Sequence, residues 1–177
     1  MNIVKMFKRT AAMGMALATV MSCAAVSAGA ADVQSKTVTA NVYVAADDNT
    51  ILGKTAYFTP ATKWNPLDLP IFAGSDNAQM TVDGTTTTVE IPLTNHIFHF
   101  VSFPDGTMTY TDGDMTVKAE DTNADTFADK MTYTFANDSF KSGTKYRIED
   151  CNCYASESTI VGDNAGEHQF AVTMKVG

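Results

Sequence analysis

The sequence predicts an all-β domain: an immunoglobulin-like antiparallel β-sandwich of eight to nine strands with one short helical loop. Three observations point there. Apolar side chains return at every second residue over most of the chain, the period of a strand with one buried face. Turn signals such as Asp83-Gly84, Pro104-Asp105-Gly106 and Asp112-Gly113 divide these runs at intervals of about ten residues, as in a two-sheet sandwich. Beyond residue 30, no segment carries a sustained apolar stripe of helical period.

The N-terminus reads differently. Lys5, Lys8 and Arg9 occur without an acid, and residues 10–30 are uncharged, apolar and end in Ala28, Gly29 and Ala30. Positive, apolar and small-residue regions in that order form an export signal with an Ala-x-Ala cleavage site. The expectation is bacterial export to the cell surface or beyond, with residues 1–30 removed, 31–36 a short tether and 37–177 the domain. Gly14, Thr19 and Ser22 interrupt the apolar run and argue against a retained membrane span. Residues 20–23, Val-Met-Ser-Cys, loosely resemble a lipobox, and acylation of Cys23 would be the chain's only route to a membrane.

The strands follow from the alternation. Val38, Ala40, Val42 and Val44 share one face of a single expected strand. Residues 53–70 hold Pro60, Pro66 and Pro70, which exclude a regular strand and leave room only for a short helix. Met80 and Val82 precede Asp83-Gly84, and Val89, Ile91 and Leu93 follow it, a hairpin signature. Residues 96–103 are apolar on both faces, with Ile97, Val101 and Phe103 on one and Phe98 and Phe100 on the other. Strands are then expected at 107–111, 115–119, 130–137 and 144–150, and a last one where Phe170, Val172, Met174 and Val176 alternate.

Charge narrows the partners. Without residues 1–30 the basic residues fall from 12 to 9 against 20 acids, a net charge of −11. Binding a phosphate backbone requires the opposite sign, so no nucleic-acid partner is expected. The chain has three histidines and no Gly-x-Ser-x-Gly, His-Glu-x-x-His or Gly-rich phosphate loop, so a non-enzyme is expected.

Several residues are candidates for chemistry. Cys151 and Cys153 lie two apart, where a regular strand would point both thiols one way. They are a strained disulfide, a pair of packed thiols, a soft-ligand pair for a metal or haem, or a redox-active or intermolecularly crosslinking pair. His96 and His99 would project from opposite faces of a strand and read as ordinary packing or surface residues, as does His168. Asp121, Asn123 and Asp125 begin like a calcium loop. Thr126 and Thr132 stand where its glycine and final acid belong, so the segment reads as a solvated acidic loop and no metal site is expected. Tyr57, Phe58, Trp64 and Phe72 crowd a proline-stiffened loop, either as a recognition surface or as a plug closing one end of the sandwich.

The order of these elements resembles a known family. An N-terminal strand, the aromatic segment KTAYFTPA, the hairpin MTVDGTTTTVEIPL, the strand KMTYTFAN and the turn into KYRIEDCNCY are similar in layout to the NEAT domains of Gram-positive bacteria. Those are exported immunoglobulin-like modules that bind haem or haemoproteins. The resemblance implies haem as cofactor, with Tyr57 and Phe58 covering it or meeting a haemoprotein. In the family's Tyr-x-x-x-Tyr motif the first tyrosine coordinates iron. Tyr146 matches the second position, but Ser142 occupies the first, so the ligand would have to be Tyr154, or a thiolate of Cys151 or Cys153, in a shifted register. The expected ligand site thus lies between the loop carrying Tyr57, Phe58 and Trp64 and the hairpin carrying Tyr146 and Tyr154. The alternative is an adhesion or assembly module without cofactor, meeting extracellular protein or glycan.

Overall fold

Eleven strands run through the residues that the computed structural model describes, 32–45, 55–59, 76–94, 98–156 and 165–177. They are β1 (Gln34–Val38), β2 (Ala40–Val44), β3 (Ala56–Tyr57), β4 (Ala78–Asp83), β5 (Thr86–Pro92), β6 (Phe98–Ser102), β7 (Thr109–Asp112), β8 (Met115–Glu120), β9 (Lys130–Phe135), β10 (Lys145–Ala155) and β11 (Gly166–Val176). All pairings are antiparallel. One sheet has the order β1-β4-β5-β9-β8-β7 and the other β3-β2-β11-β10-β6. Their inner faces share one hydrophobic core, the arrangement of a β-sandwich.

The all-β sandwich expected from the alternation is present, and the strand count is corrected from eight or nine to eleven. The extra strands have identifiable causes. The tether read at 31–36 ends in strand, because Gln34 to Lys36 pair with Val82 to Met80. The expected single strand through Val38 and Val44 is two strands, one in each sheet, separated by Thr39 alone. Asn77 makes the break tolerable: its side-chain carbonyl accepts from the Ala40 N–H and its amide donates to the Ala40 carbonyl, both at 2.8 Å. A side chain thus replaces the ladder bonds that Ala40 would otherwise lack. The described part of the expected helical loop is strand β3 and a bend at 58–59; the rest lies outside the described residues. So do residues 1–30 with Cys23, and Trp64, Phe72, His96 and Ile97.

The six-stranded sheet shows the period-two pattern most plainly. Val89 and Ile91 of β5 and Met131, Tyr133 and Phe135 of β9 are buried. On the opposite face a hydroxyl row crosses all six strands through Ser35, Thr81, Thr88, Thr134, Thr116 and Thr111. Threonine suits such a face because its branched Cβ favours strand while its hydroxyl stays hydrated. The β4–β5 connection is the two-residue turn Gly84-Thr85, with Gly84 at φ +58°, a conformation that glycine adopts without steric cost.

Two bulges decide which side chains face inward. Between Ile148 and Cys151, β10 carries one residue more than β11, and Asp150 there has φ +54°. Ile148 and Cys151, three apart, consequently both enter the core. A second bulge leaves Val101 without a partner between Phe100 and Ser102. It puts Phe103 in the core with Phe98 and Phe100, which corrects the expected division of these three rings between two faces.

Candidate functional site

The structure distributes the predicted site residues instead of gathering them. Tyr57, opposite Tyr43 in the β2–β3 pair, is half-buried with its ring centroid 5.5 Å from that of Tyr43. Burial, and then the neighbouring Tyr43, raise its hydroxyl pKa, which opposes the phenolate form required of an iron ligand. Phe58 is core and not surface. It is 1% exposed and packs 4.7 Å from Phe98 and 6.2 Å from Phe100, centroid to centroid. The expectation that Phe58 faces a ligand is corrected by this burial, since its own backbone N–H is paired to Val42 and turns the ring inward.

Tyr146 also has a structural task. Its phenol oxygen accepts from the Lys141 N–H at 2.6 Å and donates to the Lys141 carbonyl at 3.3 Å. The ring lies 4.5 Å from Phe135. A tyrosine at the start of a strand that bonds back to the preceding turn is the tyrosine corner of immunoglobulin-like sandwiches. With both hydrogen-bonding roles directed at Lys141, this phenol is not presented to a ligand.

Cys151 and Cys153 are free thiols, both fully buried. The disulfide and soft-ligand readings give way to packed thiols. The strand is regular between them, so both point into the core and interact weakly with backbone carbonyls, Cys151 with Ile148 at 3.6 Å and Cys153 with Cys151 at 3.7 Å. Burial pushes the Cys151 thiol up to about 12 and raises Cys153 as well, so neither supplies the thiolate that a metal or a redox reaction needs. Among the described residues no group of His, Cys, Asp or Glu is placed to hold a metal ion.

Tyr154 is the predicted residue that meets partners of functional interest. It stands on the outer face of β10, directly opposite His99 of β6, and Phe127 closes over the pair. Phe127 stacks on His99 at 4.4 Å and 17°, and lies 5.1 Å from Tyr154. All three are half-buried. Beside them Asn152 donates to the Ser102 hydroxyl at 2.8 Å and is joined by the Gln169 amide at 3.4 Å. Tyr57 lies on the same sheet but far away: Tyr43 pairs with Thr173 and Tyr154 with Glu167, an offset of about 20 Å along β11 at 3.3 Å per residue. Among the described residues, Tyr57 and Tyr154 therefore do not share one cleft; Trp64 and the rest of that loop lie outside the described residues.

Sequence reasoning missed His99 and Phe127 as members of the cluster. Phe127 is held by the acidic loop that resembled a calcium site. Asp121 accepts from the N–H groups of Ala124 at 2.7 Å, Thr126 at 2.9 Å and Asp125 at 3.3 Å. That carboxylate thereby stabilises the left-handed backbone of Ala124 and Thr126, at φ +63° and +78°. Asp125 then receives the Phe127 N–H at 2.9 Å, and the Ala128 N–H reaches the Phe100 carbonyl at 3.0 Å. The loop is wired by its own backbone and caps the open edge of β6. A lone large apolar residue inside an acidic run was the available signal.

The same region sets an acid response. Hydrogen bonds from Lys118 and then Lys130 lower Glu120 from an ordinary 4.5 to about 2. Asp121 is pulled upward by burial, but its backbone donors, led by Thr126, outweigh this and hold it below the usual range. Both carboxyls are more acidic folded than unfolded. Their stabilisation is therefore complete above the ordinary carboxylate range and disappears as pH falls toward about 2. The thermal midpoint is expected to drop over that interval, and Glu120→Gln is expected to flatten the drop; equal slopes in both proteins would contradict the assignment.

An open groove of about 520 Å³ lies beside the same loop, lined by Thr37, Asp76, Gln79, Glu90, Thr122, Asp129 and Lys130 among others. None of the predicted site residues lines it. Its polar groups are largely bonded within the protein: Asp76 to Thr37 and Thr39, Asp129 to Thr122, and Lys130 to Glu120. Comparison with known proteins gives no matching family model, no matching curated protein and no matching solved structure.

Proposed function

We propose that the chain is an exported, non-catalytic bacterial recognition module, and that its contact site is the corner of the five-stranded sheet where Tyr154, His99 and Phe127 meet. The observation supporting this reading is the grouping of three half-buried rings on an outer sheet face, whereas Phe58, Phe100, Phe103 and Tyr133 are interior. Ring clusters with a polar border are the usual form of a contact surface.

Haem, or a haemoprotein, is the sharpest ligand to test. The family-type set does not fit it, because Tyr146 is bonded to Lys141 and the thiols are buried. A phenol and an imidazole from adjacent strands, Tyr154 and His99, are groups of the right chemistry. Hemin titrated into the mature domain is expected to give a Soret shift, weakened about tenfold or more in affinity by Tyr154→Ala or His99→Ala and left unchanged by Tyr146→Phe. That factor corresponds to about 1.4 kcal/mol. An unshifted spectrum would remove haem.

The second reading is an adhesion or assembly module meeting protein or glycan. It is favoured by the amide and hydroxyl groups of Asn152, Gln169 and Ser102 beside the rings, donors and acceptors suited to sugar hydroxyls or a peptide backbone. A colourless domain retained on cell-wall material through Tyr154 would support it.

A further inference from the structure

Charge is sorted along the outer face of the five-stranded sheet. At one end Lys145 is paired with Lys175 and Arg147 with Thr173. Arg147 is held there in a forked contact with Glu149, Nε to Oε1 at 2.7 Å and Nη2 to Oε2 at 3.3 Å. The other end is the aromatic corner. His99, Tyr154 and Glu167 stand side by side across β6, β10 and β11, and opposed residues on antiparallel strands project from the same face. Glu167 is exposed. A second carboxylate, Asp125, is fixed beside the rings because it accepts the Phe127 N–H at 2.9 Å. Among the described residues, the lysines and arginine that form ion pairs do so with Glu120 and Glu149, and none pairs with Glu167 or Asp125.

We propose that this corner receives an arginine side chain of a partner protein. The inference rests on reading the corner as the contact site, and it names what enters. A guanidinium is planar, so it lies flat on an aromatic ring while its edge forks onto a carboxylate. Tyr154 and Glu167 present those two groups from adjacent strands. The contact that Arg147 and Glu149 make at the far end shows the same fork in use within the chain. Beyond residue 30 the chain has a net charge of −11 and no arginine except Arg147. A basic partner is therefore drawn in over distance, an attraction that salt weakens. An uncharged glycan gains nothing from that field.

The test varies the probe and leaves the protein intact. A peptide of alternating arginine and glycine, and its counterpart with citrulline for arginine, which keeps the shape and removes the charge, are titrated into the protein. The ring signals of Tyr154 and His99 are followed by NMR. Both are expected to move with the arginine peptide, and the citrulline peptide is expected to bind about tenfold more weakly. Glu167→Gln, an exposed substitution, is expected to weaken the arginine peptide about fivefold. Equal affinity for the two peptides, or no movement of these rings, overturns the proposal. The contact site itself is judged separately: a Tyr154-dependent hemin shift or cell-wall retention alongside equal peptide binding keeps the corner as the site and removes the arginine, whereas rings that respond to none of these ligands remove both.

Discussion

Replacing Phe58 by alanine is expected to destabilise the domain by about 3–5 kcal/mol, the cost of removing a fully enclosed aromatic ring. The ring is 1% exposed and is one of an interior group with Phe98 and Phe100. Its loss removes the transfer free energy of the ring and leaves a cavity that strands on both sides prevent from collapsing. Tyr57, its neighbour in sequence, points the other way and touches Tyr43; Tyr57→Ala is expected to cost about 1 kcal/mol. Urea unfolding of the two variants separates these roles. A Phe58→Ala loss as small as that of Tyr57→Ala would mean that the ring is a surface group after all. The experiment bears on function as well as stability, because Tyr57 and Phe58 together were the sequence's best case for an exposed aromatic loop.

The legible parts of this fold are those where chemistry and position coincide. Val89, Ile91, Met131, Tyr133 and Phe135 could be assigned to the core from their period alone, since a strand has only two faces. The switch of sheets at Thr39 was hidden for the same reason. Val38, Ala40, Val42 and Val44 are all buried, because a chain crossing between two facing sheets keeps one face toward the common interior. The alternation continues and the change of partner leaves no trace in it. The bulge at Asp150 did leave one. Tyr146 and Ile148 fall on even positions and Cys151, Cys153 and Ala155 on odd ones, so an inserted residue is required if all are to point inward.

The candidate site was less legible because long-range closure assembles it. Tyr154 is visible as an aromatic on a late strand, and His99 as one of two histidines whose spacing on a strand keeps them from sharing an ion. Their third member, Phe127, comes from the β8–β9 loop of the opposite sheet and arrives through the Asp121 and Asp125 turns. No local period encodes that meeting. The acidic spacing that suggested calcium reflects instead a carboxylate accepting backbone N–H groups, a use of Asp that imitates the start of a cation loop.

Tyr133→Phe is expected to stabilise the domain by about 1–3 kcal/mol, the usual penalty of a buried polar group without a partner. The Tyr133 hydroxyl is fully enclosed between the sheets and has no hydrogen-bond partner among the described residues. Burial, with a further contribution from Cys151, drives its pKa far above the ordinary phenol value, so it remains a neutral, desolvated donor. Phenylalanine keeps the ring, including its near-parallel arrangement with Phe135 at 6.4 Å, and removes only the stranded oxygen. The same substitution at Tyr146 has the opposite expected sign, a loss of about 1 kcal/mol, because that hydroxyl secures the Lys141 turn. The denaturation midpoints of the two Tyr→Phe variants should therefore move in opposite directions at equal slope. If Tyr133→Phe instead destabilised the fold, the hydroxyl would have to be bonded to an enclosed water, and the space beside Cys151 would be a hydrated pocket in the centre of an otherwise apolar core.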